Sequence, residues 1–166
     1  WEPDARAGLH DARNFTAERV PRVASGYTNA KRQTIAGLGG GFQFCRLSAE
    51  PLFTADGQVR ANVTFAQLAE FVWFAETGGG YSGQADSPLL GVHEGRAIYL
   101  LYNGILGDRR PEGGNVLTLA VLQALKAIVP HAGPKVVYAE ACRLGAARLA
   151  AEGIEFRQIP YELAGR

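Results

Sequence analysis

The last quarter of the chain constrains the fold most. Residues 136–139 are a short, wholly apolar strand, 146–152 a helical stretch closed by Gly153, and 154–159 a final strand. Two strands joined through one helix lie parallel with a right-handed crossover, so this segment predicts an α/β domain.

The rest of the chain supplies further elements. Thr64-Phe65-Ala66-Gln67 is a capping box, in which the Thr hydroxyl and the Gln side chain satisfy free amides of a first helical turn. Phe65, Leu68, Ala69, Val72 and Ala75 then recur at helical spacing until Gly78 stops the helix. Leu89–His93 and residues 96–102 flank Glu94-Gly95, which reads as a hairpin turn. Asn115 or Thr118 caps a helix running to about Val129, with Leu119, Leu122 and Leu125 in its stripe. Upstream, residues 16–26 read as a short helix in which Pro21 must occupy the first turn or introduce a kink. Residues 27–41 are basic, contain Gly and Thr, and show no periodicity, whereas 42–47 alternate as a strand and 55–58 form a turn. The expected architecture is α/β, a mixed β-sheet with flanking helices, preceded by a basic helical and extended arm. The arm is residues 1–41 and the domain residues 42–166. Phe65, Leu68, Val72, Leu122, Leu125, Val136, Val137 and Ile159 are expected to share one core.

A chain of 166 residues buries a sizeable core without disulfides or metals. Cys45 and Cys142 are far apart, which fits a reducing cytosol, and His10, His93 and His131 are too scattered to form a metal site. No apolar run approaches the roughly 18 residues of a membrane span, and the polar first residues are unlike a signal peptide. The chain contains no Met, not even at position 1, so Trp1 is read as an internal residue of a longer product.

Charge is uneven. Between residues 13 and 46, Arg13, Arg19, Arg22, Lys31, Arg32 and Arg46 stand against the single acid Glu18. Residues 47–166 carry ten basic and twelve acidic side chains, so a basic limb precedes a mildly acidic body. Such asymmetry points to a polyanion. Arg19, Arg22, Lys31 and Arg32 are the candidate DNA-contacting residues, as cations on a mobile segment that can follow a phosphate backbone.

Other motifs carry less. Gly78-Gly79-Gly80-Tyr81-Ser82-Gly83 has dinucleotide-loop spacing but follows a helix and precedes a strand, the reverse of what phosphate binding needs. It reads as a helix end and loop, and Gly37-Leu38-Gly39-Gly40-Gly41 as a hinge. Gln158-Ile159-Pro160-Tyr161 lacks the acid and first proline of the loop with which amino-methyltransferases hold a flipped base, so it reads as a strand end. Glu76, Asp86, Glu140 and Glu152 are candidate carboxylates for acid–base or metal chemistry, though no spacing demands it. Tyr138 and Arg143 flank a strand end, where α/β folds often place ligands.

Taken in order, several stretches resemble one family. They are Thr16-Ala17-Glu18-Arg19-Val20 with Gly26-Tyr27; Gly37-Leu38-Gly39-Gly40-Gly41-Phe42-Gln43-Phe44 into Arg46-Leu47; Glu50-Pro51-Leu52-Phe53 with Asp56-Gly57; and Phe74-Ala75-Glu76-Thr77-Gly78. Asn115-Val116-Leu117-Thr118, Val137-Tyr138-Ala139-Glu140 with Cys142-Arg143-Leu144, and Phe156-Arg157-Gln158-Ile159-Pro160-Tyr161 follow. This order resembles the C-terminal region of type III restriction–modification DNA methyltransferases, the modification subunits. The resemblance implies a parent protein that methylates adenine with S-adenosylmethionine. It also implies that the Asp-Pro-Pro-Tyr loop and the Gly-rich cofactor loop lie upstream, since neither stands in this sequence. It assigns no catalytic or cofactor-binding residue here: the stretch from Pro3 to Asp11 departs from the family spacing, which leaves Glu2 without a role. Residues 1–26 would be the tail of the methyltransferase domain. The expected function is an accessory, cytoplasmic domain that contacts DNA or assembles subunits, with no metal or cofactor of its own. The alternatives are a module that docks a restriction subunit or pairs with a second modification subunit, and a small nuclease.

Overall fold

The computed structural model describes residues 16–41, 51–55 and 59–159. The chain forms two units, Trp1–Ala49 and Glu50–Arg166.

In the first unit, helix α1 spans Ala17–Ser25. Pro21 is its fifth residue, one past the first turn, so the helix forgoes the amide that would have bonded the Ala17 carbonyl. The segment expected to lack periodicity is instead a hairpin. Strand β1, Gly26–Thr28, pairs antiparallel with β2, Thr34–Ala36. Strands of three residues are too short to display alternation, and the turn residue Asn29 makes the structure. Its Oδ1 accepts from the amides of Lys31 and Gln33, both at 2.9 Å, while its carbonyl accepts from Arg32. Two glycines let the hairpin base approach the helix end. A Cβ on Gly37 would lie 2.3 Å from the Ala24 carbonyl oxygen, and one on Gly26 (φ 84°) 2.5 Å from that of Ile35. The Leu38 and Gly39 amides donate to the Val23 and Ala24 carbonyls, so the first part of the expected hinge closes the helix rather than loosening it. The strand expected over 42–47 lies outside the described residues.

The second unit has the expected α/β class. Its elements are α2 (Phe65–Thr77), β3 (Leu89–His93), β4 (Arg96–Leu100), β5 (Val116–Leu117), α3 (Leu119–Ile128), β6 (Lys135–Ala139), β7 (Ala141–Cys142), α4 (Ala146–Ala151) and β8 (Ile154–Gln158). A mixed four-stranded sheet runs β3-β4-β6-β8, antiparallel only between β3 and β4. β5 and β7 form a small parallel pair. The capping box at Thr64 and Gln67 is complete, and Gly78 ends α2 in the left-handed conformation. Glu94 and Gly95 both take positive φ, as a tight hairpin turn requires. Thr118 rather than Asn115 caps α3, accepting from the Val121 amide. Leu119, the first residue of α3, is exposed rather than part of the stripe. Phe53 bridges Val59 across the expected turn, of which residues 56–58 lie outside the described set.

The single expected core is two. Successive residues of β6 point to opposite faces of the sheet, which separates Val136 from Val137. Leu68, Val72, Val136 and Ile159 pack together with Ile98 and Leu100 under α2, with Phe65 half-buried beside them. Leu122, Leu125 and Val137 pack with Tyr99 and Ile154 under α3. The two helices therefore cover opposite faces of one sheet. No helix among the described residues is long and apolar enough to cross a membrane.

Candidate nucleic-acid interface

No described residue of α1, β1 or β2 is buried. Arg19 and Arg22 stand three apart on α1 and so share a helix face, and Lys31 and Arg32 occupy the hairpin turn. All four are exposed. Between residues 16 and 41 the only acid is Glu18, which meets Arg22 at 3.7 Å with both side chains about two-thirds exposed. A pair this open contributes little and releases its cation readily. The sequence reading has these cations on a mobile segment. Instead, the Asn29 turn and the Gly26 and Gly37 contacts hold Lys31 and Arg32 at the tip of a defined ribbon joined directly to the helix. Arg13 and Arg46 lie outside the described residues.

A second polar constellation, of which the sequence singles out Glu140 as a candidate carboxylate, gathers at the C-terminal ends of the parallel strands. Glu140 follows β6 and is 2% exposed; its Oε1 accepts from the Gly107 amide at 2.7 Å and the Asn115 side chain at 3.5 Å. Asn115, fully buried, donates to the Ile105 carbonyl and accepts from the Asn103 amide. The Asn103 side chain donates to Asp108 at 2.7 Å and to the Gly113 carbonyl at 2.6 Å. Arg110 grips Asp108 through both carboxylate oxygens, each at 2.8 Å. Burial pushes the Glu140 carboxyl up, against the opposing pull of the Gly107 amide. Hydrogen bonds from Arg110 and Asn103 hold Asp108 well below the usual carboxylate range. Each member is satisfied within the cluster, so its work is to fix the 103–115 loop. Glu140 was legible as a candidate carboxylate and Asn115 as an alternative to Thr118 for the α3 cap, but nothing local joins them.

The other sequence candidates disperse. Glu76, at the end of α2, accepts from the Tyr138 hydroxyl at 2.6 Å and from Arg96, and lies 3.4 Å from Arg157. Burial raises the Tyr138 hydroxyl, reinforced by its bond to Glu76. Tyr138 is fully buried and Arg143 exposed, so they do not form a ligand pair. Glu152 is taken by Lys126 at 2.6 Å and Arg148 at 3.1 Å. Asp86 lies at the rim of an apolar cavity of about 390 Å³ between Phe65, Pro88 and the α3 residues Val121 and Ile128. Among the described residues no three His, Cys, Asp or Glu side chains gather as a metal would require. Gly78 is the α2 cap, as expected of a helix end, and Gln158 ends β8 with its side chain donating to the Glu140 carbonyl. Pro160 and Tyr161 lie outside the described residues. Comparison with protein-family models, curated proteins and solved structures finds no match.

Proposed function

We propose that the chain is an accessory domain of an adenine-directed DNA methyltransferase, which contacts DNA phosphates through its helix–hairpin unit and transfers no methyl group itself. The observation that carries the DNA contact is the exposure of Arg19, Arg22, Lys31 and Arg32 on one small unit that holds Glu18 as its only described acid. Cations set this way neutralise phosphates and release counterions without reading base sequence. Support for the methyltransferase parent is the ordered resemblance, which runs over most of the chain while its two catalytic loops fall outside it. Affinity is expected to be roughly micromolar or weaker at physiological salt, as for other non-specific contacts. Duplex binding by the wild-type chain, compared with a variant in which the four cations are alanine, tests the reading.

A further inference from the structure

Among the described residues the β1–β2 ribbon has no third strand. Tyr27 and Ile35 are direct partners in its register, so they share one face, while the Thr28–Thr34 pair lies on the other. Tyr27 is 45% and Ile35 41% exposed. Val23 and Leu38, joined by a backbone hydrogen bond, are also exposed on this unit. The face stands on a unit with four described cations and a single described acid. A partner that complements both properties is polyanionic and offers flat apolar surfaces. Duplex DNA hides its base faces in the stack, whereas an unpaired strand offers faces and phosphates together.

We infer that the Tyr27–Ile35 face takes unpaired DNA bases, with the Tyr27 ring stacked on a base while Lys31 and Arg32 meet the adjoining phosphates. The inference rests on the DNA-contact reading of the same unit and specifies the state of the DNA. It suits a parent enzyme whose target base must leave the helix before it can react.

Fluorescence anisotropy with a short labelled single strand, and with the duplex of the same sequence, tests it at one fixed salt concentration. The wild-type chain is expected to bind the single strand more tightly. Tyr27→Ala should weaken single-strand binding about fivefold or more, the scale of one lost stack, and leave duplex binding unchanged. Tyr27→Phe should retain the wild-type preference because it keeps the ring. Unchanged amide resonances of Thr28 and Thr34 in Tyr27→Ala establish that the ribbon survives. Equal losses on both substrates, or none, overturn the stacking role. So does a Tyr27→Ala variant that loses only self-association in sedimentation, which would make the face a protein contact. The fourfold alanine variant separates the two ideas: if it loses affinity while Tyr27→Ala does not, phosphate contact stands and stacking falls. If neither loses affinity, both fall.

Discussion

The Tyr138 hydroxyl on β6 donates a 2.6 Å hydrogen bond to the Glu76 carboxylate at the end of α2, and Glu76 also receives Arg96. One buried carboxylate thereby ties the helix to two strands of the sheet. Tyr138→Phe leaves the ring packed and removes only that bond, at an expected cost of about 1–3 kcal/mol in urea unfolding. Glu76→Ala removes the carboxylate that Tyr138, Arg96 and Arg157 share, leaving both arginines only Glu155 among the described acids, and should cost about 2–5 kcal/mol. A smaller loss for Glu76→Ala than for Tyr138→Phe would contradict this arrangement.

The two cores predict independence. Leu68→Ala and Leu122→Ala each remove a buried side chain and should each cost about 2–5 kcal/mol. Because the sheet separates them, the double variant should lose the sum of the single losses to within about 0.5 kcal/mol. A large coupling in the double-mutant cycle would mean that the two residues share one core after all.

Glu140 predicts a pH dependence. Its folded-state pKa is raised by burial, so the folded state holds the proton to higher pH than the unfolded chain does. Its contribution is fully present below the ordinary glutamate value of about 4.3 and is lost as pH rises through the folded value. Glu140→Gln keeps an oxygen for the Gly107 amide and has no proton to lose. The difference in unfolding free energy between Glu140→Gln and wild type should therefore grow in favour of the variant as pH rises above that value. Parallel curves would show that Glu140 does not titrate differently on folding.

The purified chain is expected to incorporate no methyl groups from S-adenosylmethionine into DNA, because neither the cofactor loop nor the target-amine loop stands in its sequence. Incorporation above a no-protein control would sink the accessory-domain reading.

The long periodic elements of the second unit were legible because their signals are local. Thr64 and Gln67 announce α2, Glu94-Gly95 announces the β3–β4 turn, and the β6-α4-β8 pattern fixes a parallel pair. The division of the core was also encoded, in the adjacency of Val136 and Val137, but seeing it requires knowing that both faces of the sheet are covered. The β1–β2 ribbon escaped because three-residue strands carry no period, and its turn is held by one Asn side chain while Gly26 and Gly37 stand where a side chain would clash. The Asn103–Asp108–Asn115–Glu140 cluster escaped because it joins residues up to 37 apart in sequence through tertiary contacts. Arg19, Arg22, Lys31 and Arg32 were visible as charge, whereas Tyr27 and Ile35 gained meaning only from their register.

The salt dependence of duplex binding tests the central claim most directly. For each phosphate neutralised, the logarithm of affinity falls against the logarithm of salt with a slope of about 0.9. The chain should bind duplex DNA with a clear negative slope. Changing Arg19, Arg22, Lys31 and Arg32 to alanine should weaken binding and flatten that slope by as much as about 0.9 for each cation that meets a phosphate. Equal affinity and equal slope for the two proteins would contradict the account, because these four side chains would then touch no phosphate.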